Sequence, residues 1–101
     1  MYHYRITEVY HSGRKGDRGD PRGDSEHTSL LGCRCSFNPA NVKHFQSVRL
    51  KLLGHPDYQW WDTSEVVQLS RDFKGNYILE TINTIYVLQE DEKTGAMAGG
   101  D

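Results

Sequence analysis

Alternation of apolar and basic side chains over residues 47–53 is the feature that most narrows what this chain can fold into. The apolar side chains fall on one side of an extended backbone and the basic ones on the other: Val48, Leu50 and Leu52 against Arg49 and Lys51. Successive side chains of a strand point to opposite faces, so a period of two is typical of a strand with one buried face. The segment is therefore predicted to be a strand.

Four further segments have the composition of strands: residues 2–10, 29–37, 63–70 and 77–89. The last of them is apolar on both faces, which predicts a strand that is central or closes a barrel, and Asn83 in its middle is expected to mark a bulge. The dipeptide Asn38-Pro39 is typical of a helix start and predicts one short helix over residues 39–46, with Val42 and Phe45 on its buried side. The predicted fold is mainly β, a small antiparallel five-stranded curved sheet or partly open barrel with one short helix.

Residues 12–28 differ in kind from these segments. They contain four glycines, one proline and four residues of each charge sign, but no apolar residue that could anchor them. Such a segment cannot bury enough apolar surface to offset the entropy lost on ordering. We therefore expect one β-rich domain over residues 1–90 with a long flexible loop at 12–28, followed by a flexible tail at 91–101.

The composition of the chain limits the cellular location and the binding partners that can be expected. The formal net charge of −2 gives no global reason to expect nucleic acid as a partner, although a local basic patch is compatible with it. No run of apolar residues could span a membrane, and residues 1–12 lack the apolar core of a signal peptide, so a cytoplasmic location is expected. A domain of this size buries a modest core, which favours self-association into a homo-oligomer.

The loop offers one candidate site. Its glycines would let backbone amides approach an anion, and the guanidinium groups of Arg14, Arg18 and Arg22 could bind phosphate. The alternative is a solvated loop with no ligand. Two Arg-Gly-Asp triplets, at 18–20 and 22–24, match the adhesion tripeptide read by integrins, but that reading requires export of the protein.

Aromatic residues offer a second candidate site. Trp60 and Trp61 are adjacent, so in an extended backbone one would enter the core and the other would face a partner or a ligand. Aromatic residues are favoured at interfaces and as platforms on which bases stack. Tyr58, Trp60, Trp61 and Tyr86 are therefore the candidate contacts. The alternative is that both tryptophans cover the core from two sides.

Neither catalysis nor metal binding is predicted. The sequence has no nucleophile elbow, phosphate-binding loop, zinc-protease motif or dinucleotide fingerprint. Cys33 and Cys35 lack the spacing of a structural zinc site and are interpreted as small buried hydrophobes. No cofactor is expected, and no residue is assigned a catalytic role.

Residues 63–88 contain two stretches that belong together, Thr63-Ser64-Glu65-Val66-Val67 and, after a turn, Glu80-Thr81-Ile82-Asn83-Thr84-Ile85-Tyr86-Val87-Leu88. Together these two stretches resemble the ending of many short, uncharacterised prokaryotic and phage proteins. The resemblance covers a quarter of the chain and implies a β-hairpin but no established activity.

These observations favour binding without turnover. The expected function is that of a non-enzymatic binding protein, such as a phage or mobile-element inhibitor that blocks a host defence protein or sequesters a nucleotide-like, phosphate-bearing ligand. One alternative is a small phosphate-ester hydrolase or nuclease that uses histidine with arginine. Another is a structural or assembly component in which the last strand pairs between chains.

Overall fold

The computed structural model describes residues 3–13 and 16–91, which form one antiparallel sheet of seven strands. The strands are β1 (His3–His11), β2 (Arg34–Ser36), β3 (Arg49–Leu53), β4 (Trp60–Asp62), β5 (Val66–Arg71), β6 (Tyr77–Thr81) and β7 (Thr84–Glu90). Their spatial order is β4-β3-β2-β1-β7-β6-β5. A four-residue helix, α1 (Ser25–Thr28), and a 3-10 turn at Pro39–Asn41 complete the regular structure. Nowhere in these ranges does a helix have the length and apolarity needed to cross a membrane.

The prediction of a mainly β fold is confirmed, but the prediction of five strands is wrong. Residues 77–89 form two strands, because Ile82 and Asn83 make a tight turn between β6 and β7. Asn83 therefore lies in a hairpin turn and not in a bulge. The second additional strand is β4, which begins at the tryptophan pair, before the predicted segment 63–70.

The predicted helix over residues 39–46 is wrong beyond its first turn. Asn38 caps it as expected, since its side-chain oxygen accepts a hydrogen bond from the backbone N–H of Ala40. The backbone then becomes extended at Val42, and Phe45 adopts a positive φ of 64°, which a helix does not allow. Val42 packs against the core as predicted, whereas the side chain of Phe45 is exposed.

The core lies inside the curved sheet. The alternation predicted for β3 is confirmed, since Leu50 and Leu52 are buried and Arg49 and Lys51 are exposed. A β-bulge in β1 between Ile6 and Glu8 shifts the pairing with β7 by one residue. The remaining buried hydrophobic side chains come mainly from β1, β2, β6 and β7: Tyr4, Ile6, Val9, Leu30, Cys35, Phe37, Val66, Leu79, Ile85, Tyr86, Val87 and Leu88.

A short connection forces this sheet to curl. β4 and β5 are its two edge strands, yet only residues 63–65 separate them in sequence. Seven strands spaced about 4.8 Å apart would place the edges of a flat sheet about 29 Å apart. The four Cα steps from the end of β4 to the start of β5 reach at most about 14 Å. The two edges must therefore approach one another at this end of the sheet.

Backbone hydrogen bonds join this connection and the start of β5 to the residues that precede β3. The N–H of Thr63 donates to the carbonyl of Val48 over 2.9 Å, and the N–H of Val66 donates to the carbonyl of Gln46 over 3.0 Å. The N–H of Phe45 donates to the carbonyl of Val66 over 2.8 Å. Residues 60–71 thus pair first with β3 and the residues before it, and then with β6.

Hydrogen bonds of side-chain hydroxyl groups link the same connection to the turn between β6 and β7. The hydroxyl of Ser64 donates to that of Thr81 over 2.7 Å, and the hydroxyl of Thr81 donates to the carbonyl of Thr84. The N–H groups of Thr84 and Asn83 donate to the hydroxyls of Thr81 and Ser64 respectively. Ser64, Thr81, Asn83 and Thr84 therefore meet in one hydrogen-bonded cluster.

The described part of the loop at 12–28 lies along the end of β1. Arg22 donates its N–H to the carbonyl of Val9, His11 donates to the carbonyl of Asp20, and Gly19 donates to the carbonyl of His11. These loop residues lie beside residues 9–11 of β1, in the position that β2 occupies beside residues 3–5 of the same strand. The mobility of this loop stays a prediction.

Thr81→Val is expected to lower the free energy of unfolding by about 2–3 kcal/mol. Valine keeps the shape of the side chain, but it leaves the buried N–H of Thr84 without an acceptor. Urea denaturation measures the change. Thr28→Val is the control, because its exposed hydroxyl bonds only to Ser25 in its own turn. Equal stability of the Thr81→Val variant and the parent would contradict the structural role of the hydroxyl cluster.

Candidate functional site

One large cleft opens where the connection between β4 and β5, the turn between β6 and β7 and the loop at 12–28 meet. Its volume is about 860 Å³. It is lined by His11, Asp17, Arg22, Glu26, His27, Trp61, Asp62, Ser64, Asn83, Thr84 and Tyr86. The short connection creates this cleft, because it brings Trp61 on one edge of the sheet to the first residues of β7.

Arg22 supplies the guanidinium group of the cleft. Its Nη1 donates to the hydroxyl of Thr84 over 2.9 Å and to the carbonyl of Asn83 over 3.3 Å, while its Nε donates to Asp24 over 3.1 Å. The side chain is held on three sides and is mostly buried. Within the described part of the chain, its Nη2 makes no hydrogen bond and is available to a ligand.

Asp24 orients both Arg22 and His27. It is the N-cap of α1, where one carboxylate oxygen accepts from the N–H of His27 over 3.1 Å and lies 2.6 Å from the Nδ1 of the same residue. Burial alone would raise the pKa of Asp24, but the hydrogen bonds from His27 and Arg22 outweigh it and hold that pKa well below its usual value. A carboxylate at Nδ1 keeps a proton on that nitrogen, so neutral His27 can accept a hydrogen bond at Nε2.

Aromatic rings form one wall and the floor. The indole of Trp61 lies edge-on to the imidazole of His27, with ring centres 5.0 Å apart, and its Nε1 donates to the hydroxyl of Tyr86 over 3.0 Å. Tyr58 packs against Trp61 from the other side, with ring centres 5.6 Å apart. Tyr86 is buried, and burial raises the pKa of its phenol against the opposing effect of the hydrogen bonds from Trp61 and Thr84.

The remaining lining is mixed in charge. The Nδ1 of His11 lies 3.2 Å from a carboxylate oxygen of Asp17. Asp62 is paired with Arg49, whose Nε and Nη2 donate to its two oxygens over 2.8 and 3.1 Å. Glu26 is the one lining carboxylate that has no ion-pair partner among the described residues. The cleft therefore offers both donors and acceptors to a ligand.

The structure brings together three of the seven residues predicted as ligand contacts, namely Arg22, Trp61 and Tyr86. Tyr58 lies directly behind them, in contact with Trp61. Arg18 lies outside the lining, where its guanidinium forms a bidentate pair with Glu80 over 2.5 and 2.9 Å. Arg14 lies outside the described residues.

Trp60 occupies the opposite face of β4 from Trp61. Its ring is half exposed, and the cationic groups of Arg49 and Lys51 lie over it at 5.4 and 5.7 Å. One tryptophan thus packs against the core and the other faces outward, as the sequence alternation predicts.

Sequence reasoning missed the two histidines of the cleft. His27 follows Asp24 by three residues, and that spacing is the one local signal for an aspartate N-cap that also contacts a histidine. The contact between His11 and Asp17 depends on how the loop folds back over the end of β1. No local pattern in the sequence announces it.

The cysteines lie apart from this cleft. Cys35 is buried in the core, and burial raises its pKa to about 12, so it stays a thiol at neutral pH. Within residues 3–13 and 16–91, no three side chains of the metal-binding types come together.

Comparison of the sequence with models of protein families, with curated proteins and with solved structures found no match.

Asp24→Asn is expected to lower the free energy of unfolding by about 0.5–1 kcal/mol at pH 7. Asparagine remains a good N-cap, so the change isolates the charge that Arg22 and His27 contact. The pKa of this carboxyl is lower in the folded than in the unfolded chain, so its contribution is complete above the unfolded value of about 4 and is lost as the pH falls through the folded value.

Urea denaturation at pH 7, 4 and 2.5 measures this difference for Asp24→Asn and for the exposed control Asp20→Asn. The gap between the parent and the Asp24 variant should narrow towards acid pH, whereas the control should show no such trend. A gap that stays constant with pH would contradict the assignment of the charge.

Proposed function

We propose that this chain is a non-enzymatic binding protein whose cleft takes up a small nucleotide-like ligand with a phosphate group and an aromatic ring. The observation that carries the proposal is the presence of Arg22 and Trp61 in one cleft of about 860 Å³. That volume is within the range of small-molecule sites. A guanidinium binds phosphate oxygens through paired N–H donors, and an indole offers a face or an edge to a base.

The position of Arg22 supports phosphate binding. Thr84 and Asp24 fix its Nη1 and Nε, so little side-chain entropy remains to be lost when Nη2 binds a ligand. Ser64 and His27 line the same cleft, where the hydroxyl oxygen of Ser64 and the Nε2 of neutral His27 can accept hydrogen bonds from donor groups elsewhere on the ligand. The negative charge of Asp24 is shared between His27 and Arg22, which leaves the guanidinium partly available to a second anion.

The carboxylates of the cleft support a ligand that also carries donors. Glu26 and Asp17 can accept hydrogen bonds from ribose hydroxyls or from the amino group of a base. A purely inorganic anion would meet repulsion from these groups. A nucleotide, with an anionic end and a donor-bearing end, fits the mixed lining better than phosphate alone.

Sequestration is the role that we propose for such binding. The carboxylate of Asp24 orients His27, and the hydroxyl of Tyr86 orients Trp61. Fixing the lining side chains in this way favours the binding of a ligand. An inhibitor from a phage or mobile element is the biological context that the small size and the resemblance of residues 63–88 favour.

Isothermal titration calorimetry with adenosine 5′-monophosphate, adenosine and ribose 5-phosphate tests the binding proposal. We expect the intact nucleotide to bind more tightly than either half. Arg22→Gln should weaken binding of the nucleotide at least tenfold, because a hydrogen bond to a charged group contributes about 1.5–3 kcal/mol.

Arg18→Gln is the matched control, since this arginine lies in the same loop but is paired with Glu80 outside the cleft. The affinity of the Arg18→Gln variant for the nucleotide should equal that of the parent protein. Absence of heat with every phosphate-bearing probe would contradict the proposal, and so would an equal loss in the two variants.

Phosphodiester hydrolysis is a second candidate function, which one specific observation favours. Two imidazoles line the same cleft, and each has a carboxylate at its Nδ1: Asp17 beside His11 and Asp24 beside His27. One imidazole could accept a proton from an attacking hydroxyl while the other donates a proton to the leaving oxygen. Arg22 would then stabilise the charge on the phosphoryl oxygens.

Incubation with uridylyl-(3′,5′)-adenosine distinguishes the two functions. Sequestration predicts that the dinucleotide is recovered intact after denaturation of the protein. Hydrolysis predicts release of adenosine, and loss of that release in both His11→Gln and His27→Gln. Release that persists in both variants would rule out the imidazole pair as its cause.

A further inference from the structure

Exposed apolar side chains gather along one edge of the sheet. Of the five large hydrophobic residues that are exposed in the described part of the chain, three flank β5: Phe45, Val67 and Phe73. Phe45 is 76 % exposed and bonds through its N–H to Val66 at the start of the strand. Val67 lies within the strand, and Phe73, which is 94 % exposed, follows its end.

β5 is also an edge strand with unpaired backbone groups. Asp72 donates its N–H to the carbonyl of Asn76, so hydrogen-bonded pairs alternate backwards from that point. Ser70 and Gln68 therefore bond to β6, while the N–H and C=O groups of Leu69 and Arg71 face away from it. Within residues 3–13 and 16–91, no strand pairs with β5 on that side.

Most of this edge lacks the usual protection against pairing. Edge strands are commonly blunted by proline, by lysine, by a β-bulge or by being very short. β5 has one bulge, between Val66 and Gln68, and its pairing with β6 is regular from Gln68 to Arg71. β5 has six residues, contains neither proline nor lysine, and carries a single charge, at Arg71. The other edge, β4, has only three residues, and Arg49 and Lys51 lie over its outward tryptophan.

The tip beyond β5, which is the turn at residues 72–76 that leads into β6, is held in one conformation by hydrogen bonds. The carboxylate of Asp72 accepts hydrogen bonds from the N–H groups of Lys74 and Asn76, and Gly75 takes the positive φ that closes such a turn. Arg71 donates to the carbonyl of Gly75 and stacks on the ring of Tyr77. Phe73 is thus presented on a preorganised turn, which lowers the entropy lost when it packs against another surface.

We propose that β5 pairs antiparallel with β5 of a second copy of this chain, about a two-fold axis at Leu69. In this register Leu69, whose N–H and C=O groups face away from β6, lies opposite Leu69 of the other copy, and Arg71 lies opposite Val67 at the bulge. A two-fold interface is self-complementary, so each contact occurs twice. The proposal stands apart from the cleft and does not depend on what the cleft binds.

The side chains complement one another in that register. Strand pairing between the copies ends at Val67, because Val66 already bonds to Phe45 and Gln46 on that side. The turn after β5 in one copy then lies beside Phe45 and Val67 of the other, which brings Phe73 against them. Glu65, which is exposed just before β5, then lies near the basic groups of Arg71 and Lys74. Apolar groups thus meet apolar groups at each end of the pair, and opposite charges meet at their rim.

The same topology excludes the assembly predicted from the sequence, in which the last strand pairs between chains. β7 lies between β1 and β6, and β6 lies between β7 and β5. Both sides of each strand are already paired, so residues 77–89 have no free edge to offer. The free edge belongs to the strand before them.

Sedimentation equilibrium of the full chain tests the proposed pairing, and we expect a monomer–dimer equilibrium. Val67→Lys and Phe73→Ser should each raise the dimer dissociation constant at least tenfold, because one adds a repelling charge to the edge and the other removes the apolar tip. Leu31→Ser is the control, since Leu31 is similarly exposed but lies away from β5. It should leave the constant unchanged.

Amide hydrogen exchange identifies the register. Protection of the N–H groups of Leu69 and Arg71 should rise with protein concentration, whereas that of Gln68 and Ser70 should not, since β6 already holds them. A monomer at every soluble concentration would overturn the proposal. So would a dimer that both variants leave intact, or one whose formation protects residues of β4 instead.

Discussion

The connection of three residues between β4 and β5 is the constraint on which the rest of the structure depends. It joins the two edges of a seven-stranded sheet, so the sheet has to curl until those edges meet. The curl encloses one apolar interior, into which β1, β3, β6 and β7 place their inward residues. Ser64, within the connection, bonds to Thr81 and so ties the edges to the turn between β6 and β7.

The cleft is a consequence of the same constraint. Trp61 and Tyr86 are far apart in the strand order, yet a hydrogen bond of 3.0 Å joins them across the curled sheet. The described part of the loop at 12–28 lines one side of the cleft, and Arg22 bonds there to Val9 through its backbone N–H and to Thr84 through its side chain. The two edge strands of the sheet also differ in length and surroundings. β4 is short and flanked by charged groups, whereas β5 is longer and flanked by apolar groups.

Much of the fold could be predicted because its signals are local. The alternation around Leu50 and the Asn38 cap each depend on neighbours in sequence, and both were read correctly. The turn at Ile82 and Asn83 escaped prediction because apolar residues on both faces continue through it, and what turns the chain is a hydroxyl bond from Thr81 to Thr84. Arg22, Trp61 and Tyr86 could be proposed by residue type. The proximity of these three residues to His27 could not be predicted, because it depends on how the sheet curls.

Nuclear magnetic resonance of the two indole N–H groups tests the curl most directly. If the edges meet, the indole proton of Trp61 shows nuclear Overhauser contacts to the ring of Tyr86 and exchanges slowly with water, whereas that of the half-exposed Trp60 exchanges fast. Fast exchange of both indole protons, with no contact between Trp61 and Tyr86, would contradict the account, because the two edges of the sheet would then lie apart.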